Sequence, residues 1–291
     1  MTPDFRIRQD MVEVGRRIWQ RGYVAASDGN MSVRLSDGRI LITPTGRSKG
    51  FLEPDDMVIV DAGGRKLSGR LEPTSELKMH LFVYEARPDV SAVVHAHPPK
   101  ATGFAVAGVH LAQCVLPEVI LTLGGVPLTE YATPSTPEVP ASIEQYIRSY
   151  NAMLLRSHGA LTFGKDVMEA YYRMETVEHF AEITLTARAL GGASPLSNEE
   201  VQKLLRAREN LGLRGPVGTC IIDEPPEAAP GPSSTRQPEV TPERTEIEEA
   251  RPQATTATEG PASDDDIVEA VLARLRASVP GRPQDEGSKS E

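Results

Sequence analysis

Cysteine is scarce in this chain: of 291 residues only Cys114 and Cys220 are cysteines, which makes no disulfide framework. No run approaches the ~18 apolar residues that a bilayer-spanning helix needs. The chain opens Met1-Thr2-Pro3-Asp4, without the charged start and apolar core of a signal peptide. These absences lead to the expectation of a soluble, cytoplasmic protein with no membrane partner. A basic excess is missing too. The formal net charge is −10, and residues 223–291, with 16 acidic and 7 basic side chains, carry −9 of it. The remaining −1 gives the body no basic bias toward nucleic acid. The same tail has no Phe, Tyr or Trp and holds 10 of the 24 prolines. It cannot bury enough apolar surface to offset the entropy of ordering itself. The expected division is a folded domain over 1–220, a disordered acidic, Pro-rich linker over 221–262, a short amphipathic helix over 263–279 and a disordered end over 280–291.

What the chain does contain is organised around Val93-Val94-His95-Ala96-His97. The apolar run Val90 to Val94 reads as a buried strand, whose alternate side chains share a face, so His95 and His97 point the same way. Two imidazoles at a strand end can reach one cation. Glu76, in Pro73-Thr74-Ser75-Glu76, and His158, in Arg156-Ser157-His158-Gly159, are the completing ligands. Three histidines and a carboxylate suit zinc or a similar divalent metal. The competing reading, that His-x-His is a pair of satisfied polar residues at a strand end, stays open on spacing alone.

Phe5 to Gln20 carries apolar residues at Ile7, Met11, Val14 and Ile18, the spacing of an amphipathic helix. Alternation on both sides of Asp37-Gly38 predicts a β-hairpin, and a second strand pair is expected from Met57–Asp61 and after Gly63-Gly64. The ends of the hairpin are Gly29-Asn30 and Thr43-Pro44-Thr45-Gly46, and antiparallel pairing brings them together. Their N–H groups, the Asn30 amide and the Thr45 hydroxyl are a candidate phosphate cradle, with ordinary turn chemistry as the alternative. Pro73-Thr74-Ser75-Glu76 precedes a helix from Leu77, whose start offers N–H groups and a favourable dipole to an anion. His80 lies within that helix and reads as a packing histidine. Neither His110 nor His179 has a local partner pattern. Glu118 stands in the apolar stretch Cys114 to Leu123, where a carboxylate is costly unless paired or functional. Further helices are expected over 98–107, 137–150, 166–190 and 197–210, with strands over 152–155 and 161–163. Interleaved strands and helices with an early hairpin give an α/β class with a mixed sheet.

Taken together, Gly29-Asn30-Met31-Ser32-Val33-Arg34, Leu41-Ile42-Thr43-Pro44-Thr45-Gly46, Pro73-Thr74-Ser75-Glu76, Val93-Val94-His95-Ala96-His97 and Ser157-His158-Gly159 follow the order and spacing of the class II aldolase/adducin family, which residues 5–215 resemble. That resemblance implies a three-layer α/β/α domain with a central mixed, largely antiparallel sheet, assembled as a homotetramer. It implies Glu76, His95, His97 and His158 as ligands of one Zn2+ or other divalent metal per subunit. It implies Gly29, Asn30, Thr45, Gly46, Thr74 and Ser75 around a substrate phosphate. The implied reaction is cleavage of a deoxyketose 1-phosphate, L-fuculose 1-phosphate or L-rhamnulose 1-phosphate, to dihydroxyacetone phosphate and L-lactaldehyde. Glu76 and Glu118 are the implied acid–base residues. Glu118 stands where aldolases of this kind carry a tyrosine ahead of Gly-Gly, and a glutamate there resembles the methylthioribulose-1-phosphate dehydratase branch. Dehydratase, epimerase or decarboxylase chemistry is therefore the enzymatic alternative, and an adducin-like scaffold the non-enzymatic one.

In the tail, Ser263 and Asp264-Asp265-Asp266 suit a helix start, and Ile267, Val268, Val271, Leu272 and Leu275 share one stripe. The layout resembles the encapsulation peptides of bacterial microcompartments. It implies a shell-protein partner for 263–279, with docking on the protein itself as the alternative.

Overall fold

The computed structural model describes residues 3–213 and 215–220. The linker, the amphipathic helix and the terminal stretch expected over 221–291 lie outside the described residues. Seven α-helices are described: α1 (Pro3–Gln20), α2 (Leu77–Ala86), α3 (Pro99–Ala107), α4 (Pro117–Thr122), α5 (Glu138–Ile147), α6 (Val167–Ala189) and α7 (Asn198–Asn210). The strands are β1 (Asn30–Arg34), β2 (Ile40–Ile42), β3 (Val58–Val60), β4 (Lys66–Ser68), β5 (Ala92–Ala96), β6 (Ala152–Leu155) and β7 (Gly159–Gly164). They form one sheet in the order β4-β3-β2-β1-β5-β7-β6. Every neighbouring pair is antiparallel, and among the described residues the one parallel pairing is the isolated bridge between Leu128 and Leu154.

Strand alternation builds two apolar faces. Met31, Val33, Leu41, Ile59, Ala92, Val94 and Ala96 pack with Met11, Val14 and Ile18 of α1, Phe104 of α3, and Tyr171, Met174 and Phe180 of α6. On the other face Ile40, Ile42, Val58, Val60, Val93 and Phe163 meet Met79 and Val83 of α2, and Val139, Ile143 and Ile147 of α5. The result is the expected α/β/α sandwich. Helix starts follow the sequence: Asp166 accepts the Glu169 N–H at 2.8 Å to cap α6, and Ser197 with Glu200 forms a capping box on α7.

The cysteines require a correction. Cys114 and Cys220 are joined in a disulfide across 106 positions. Their pairing is a tertiary event: residues 215–220 run back beside the start of β6, where the Asn151 amide donates to the Pro216 carbonyl at 2.7 Å. The bond sits in a small apolar cluster with Ile120 and Val201. No helix among the described residues is long and apolar enough to cross a membrane.

Candidate metal centre

β5 ends with His95 inside the sheet and His97 one residue beyond it. β5 pairs with β7, whose first residue Gly159 follows His158 directly. The β6–β7 turn is tight, and Ser157 takes the left-handed conformation at φ +55 immediately before His158. That conformation is costly for a non-glycine residue, and such strain concentrates where a side chain must be aimed. Gly159 is required for a different reason: a Cβ there would stand 2.5 Å from the His97 ring and 2.6 Å from the Ala96 carbonyl. Its bare backbone lets the turn close on the two strand histidines.

One ligand atom from each of His95, His97 and His158 falls within 4.8 Å of the others. His95 Nε2 lies 3.1 Å from His97 Nε2 and 3.3 Å from Glu76 Oε2, while Glu76 Oε1 lies 3.6 Å from His158 Nε2. Glu76 immediately precedes α2, so a helix start delivers the carboxylate to imidazoles delivered by a strand end and a turn. His95 Nδ1–H donates to the Ala160 carbonyl at 2.9 Å, which leaves the Nε2 lone pair facing the cluster. His97 Nδ1 lies 3.5 Å from Asp28 Oδ2.

Burial governs the protonation of His95 and His158. It pushes His95 down to about 3, with Glu76 opposing and the other two imidazoles adding to the shift. It lowers His158 as well. Burial raises the Glu76 carboxyl, but His95, the Asn30 amide and His158 outweigh it and leave it below its ordinary value. With His95 neutral near pH 7, the Asn30 hydrogen bond is the contact that steadies the anion there. Neutral imidazole nitrogens and a carboxylate are the donor set a borderline divalent cation takes. Glu76 Oε1 is buried without a hydrogen-bond partner, an uncompensated acceptor that a cation would satisfy. The residues therefore fit a metal.

The candidate phosphate residues lie on adjoining loops. Thr43 N–H donates to Met31 O at 3.0 Å, Thr45 N–H to Glu72 O at 3.0 Å, and Thr74 N–H to Thr43 O at 3.1 Å. These bonds zip the end of β2 to the start of β1 and to the residues before α2. Thr45, Gly46 and Ser75 are exposed, whereas Thr74 is buried. Gly29 is tightly placed, since a Cβ would stand 2.9 Å from the His95 carbonyl. The Asn30 side chain is buried and engages Glu76 Oε2 at 2.8 Å and His80 Nε2 at 2.5 Å. Glu118 is exposed on α4, and no hydrogen bond or ion pair joins it to the histidines or Glu76 among the described residues.

Two residues stand out: His80, read from sequence as a packing histidine, and Lys49, which sequence patterns passed over. His80 is fully buried and bonded on both ring nitrogens, to Asn30 and to Ser32. A signal existed: Asn30, Ser32 and Arg34 are polar at alternate positions of a buried strand. Lys49 is almost completely buried, its Nζ donating to Ser27 O at 2.9 Å and Arg47 O at 2.5 Å, across the two loops of the candidate cradle. Burial pushes its ammonium down to about 8, against the pull of Asp28. Nothing local marks a loop lysine as buried.

Residues 9–185 match the family model described as Class II Aldolase and Adducin N-terminal domain. The chain belongs to the class II aldolase and adducin family. It is 35% identical over 175 residues to an L-fuculose phosphate aldolase of Methanococcus maripaludis, covering 60% of this chain and 93% of that one. It is also 35% identical over 187 residues to a methylthioribulose-1-phosphate dehydratase of Methylococcus capsulatus, covering 60% and 90%. The solved structure of L-fuculose-1-phosphate aldolase from Thermus thermophilus superposes with a TM-score of 0.57 at 33% identity, covering 66% of this chain and 99% of that one. Class II aldolase relatives at equal identity thus carry different reactions. Membership in the family does not by itself select the bond broken.

Proposed function

We propose that this protein is a divalent-metal-dependent aldolase that cleaves a deoxyketose 1-phosphate, L-fuculose 1-phosphate or L-rhamnulose 1-phosphate, to dihydroxyacetone phosphate and L-lactaldehyde. The observation that carries the proposal is the convergence of three imidazoles on one carboxylate whose second oxygen is buried and unpartnered. Glu76, His95, His97 and His158 would hold the metal, with Zn2+ the first choice for this donor set. When bound, such an ion supplies a positive charge that stabilises negative charge developing on substrate oxygens.

The chain's own residues do the rest. The loops of Gly29, Asn30, Thr45, Gly46, Thr74 and Ser75 hold the phosphate and thereby fix the sugar's distance from Glu76. Glu76, given up as a ligand when substrate binds, takes the proton from the C4 hydroxyl; the C3–C4 bond breaks, its electrons pass toward the C2 carbonyl, and the C4 aldehyde leaves. A proton returned to C3 completes dihydroxyacetone phosphate. Glu118, exposed in the single chain, serves as the second acid–base group where neighbouring subunits of a homotetramer enclose the site.

The dehydratase reading keeps the same residues and differs in the bond broken; Glu118 and the dehydratase relative favour it. A coupled assay for dihydroxyacetone phosphate, run on both sugars with stripped and zinc-restored protein, separates the two. Zinc-dependent release supports aldol cleavage. Bound zinc without release from either sugar moves the assignment to the dehydratase branch. The tail proposal is tested separately: deletion of 262–291 leaves kinetics unchanged and abolishes co-purification with shell proteins, and retained encapsulation refutes it.

A further inference from the structure

β1 and α2 present two polar columns to each other. Asn30, Ser32 and Arg34 recur every second residue of the strand, about 6.6 Å apart. Glu76, immediately before α2, and His80 and Tyr84 within it recur every fourth residue, about 6 Å apart. The near-equal steps keep the columns in register over three rungs. Asn30 Nδ2 meets Glu76 Oε2 at 2.8 Å, Asn30 Oδ1 meets His80 Nε2 at 2.5 Å, His80 Nδ1 meets Ser32 Oγ at 2.7 Å, and Ser32 Oγ meets Tyr84 Oη at 2.7 Å. Arg34 closes the far end, donating to the Tyr84 carbonyl at 3.0 Å. Asn30, Ser32, His80 and Tyr84 are all buried.

The donors in this chain have a fixed sense. Ionised Glu76 can only accept, so the Asn30 NH2 group faces it and the Asn30 oxygen faces His80. His80 Nε2 must then carry the proton, Nδ1 must accept from the Ser32 hydroxyl, and the Ser32 oxygen must accept from Tyr84 O–H. All four hydrogen bonds point toward the carboxylate, an arrangement in which each bond polarises the next.

We infer that His80 is a positioning residue for Glu76: acting through Asn30, it ties Oε2 where that oxygen faces His95 and leaves Oε1, without a hydrogen bond, facing His158. The inference rests on the metal reading of that cluster. A histidine that merely filled space on this face would have no need of both ring nitrogens. Apolar Met79 and Val83 of the same helix already supply packing against the sheet. Turned the other way, the Asn30 oxygen would oppose the carboxylate, and Glu76 would lose the one side-chain donor it has among the described residues.

The test uses the full chain, stripped of metal and titrated with Co2+, whose visible absorption reports its ligands. His80→Leu is expected to weaken Co2+ binding about 10- to 100-fold and to alter the absorption band, as loss of a ligand-orienting partner does. In turnover it lowers kcat with KM nearly unchanged. His80→Gln, which can donate to Asn30 and accept from Ser32, is expected to recover most of the affinity. Unchanged Co2+ affinity and spectrum in folded His80→Leu would overturn the inference, as would His80→Gln binding no better than His80→Leu. Should His80→Leu fail to fold, ring-nitrogen NMR of histidine-labelled wild-type protein decides the matter. An Nε2–H tautomer for His80 supports the chain and an Nδ1–H tautomer overturns it. Wild-type protein that binds no Co2+ would sink the metal reading, while the tautomer would still judge the relay.

Discussion

On the face covered by α1, α3 and α6, the sheet meets an apolar layer running from Met11 to Ala181, whereas the α2 face interrupts its apolar layer with the buried column of Asn30, Ser32, Glu76, His80 and Tyr84. One polar exception on the first face is absorbed in capping: buried Glu178 accepts the Lys100 and Ala101 N–H groups at the start of α3. On the second face the polar groups bond to one another and end at the imidazole cluster. Both faces derive from the same strand alternation. The first is suited to stability, and the second gives up part of its apolar burial to aim a carboxylate.

The largest effect expected on the polar face is from His95→Ala, which removes the ligand at the centre of the cluster. Bound metal, measured by elemental analysis, should disappear, and turnover should fall by about three orders of magnitude or more. Full activity would sink the site assignment. On the apolar face Phe180, 1% exposed, is the sharper target. Phe180→Ala is expected to cost about 3–5 kcal/mol in denaturant unfolding while metal affinity of the folded protein stays near wild type. A large loss of metal affinity with little loss of stability would erase the contrast between the faces.

Acid should reveal the polar face without any substitution. Burial holds His80 down to about 4, against an ordinary value of 6.5. A depressed histidine contributes stability above the unfolded value and loses it as pH falls, because the unfolded chain binds the proton first. Between pH 6.5 and 4, metal-free protein should therefore lose about 3 kcal/mol through this one residue, read from melting curves at successive pH values. Flat stability across that window would show His80 to be less buried than it stands. The smallest effect is expected at the cradle. Lys49→Met removes the ammonium that joins the Ser27 and Arg47 carbonyls, and KM for the phosphorylated substrate should rise about five- to tenfold, equivalent to one hydrogen-bonded contact, with kcat little altered. An unchanged KM would detach Lys49 from substrate binding.

Residues within a few positions of one another announced most of the elements. The hairpin at Asp37-Gly38, the helix capped by Asp166 and the strand bearing His95 are all read from spacings that the backbone itself imposes, two residues for a strand and about 3.6 for a helix. The four cluster residues were legible because their types and motifs stand apart from a surrounding apolar pattern. Their convergence belonged to tertiary structure: Glu76 and His158 are 82 positions apart, and they meet because β5 lies between β1 and β7 in the sheet. The same holds for the disulfide across 106 positions, for Lys49 beneath two loops, and for the turn of Asn30 toward Glu76 and His80. Local periodicity fixes which face a side chain occupies. Strand order and the seating of α2 on the sheet decide what it meets there, because those contacts join segments whose sequences carry no record of their distance in space.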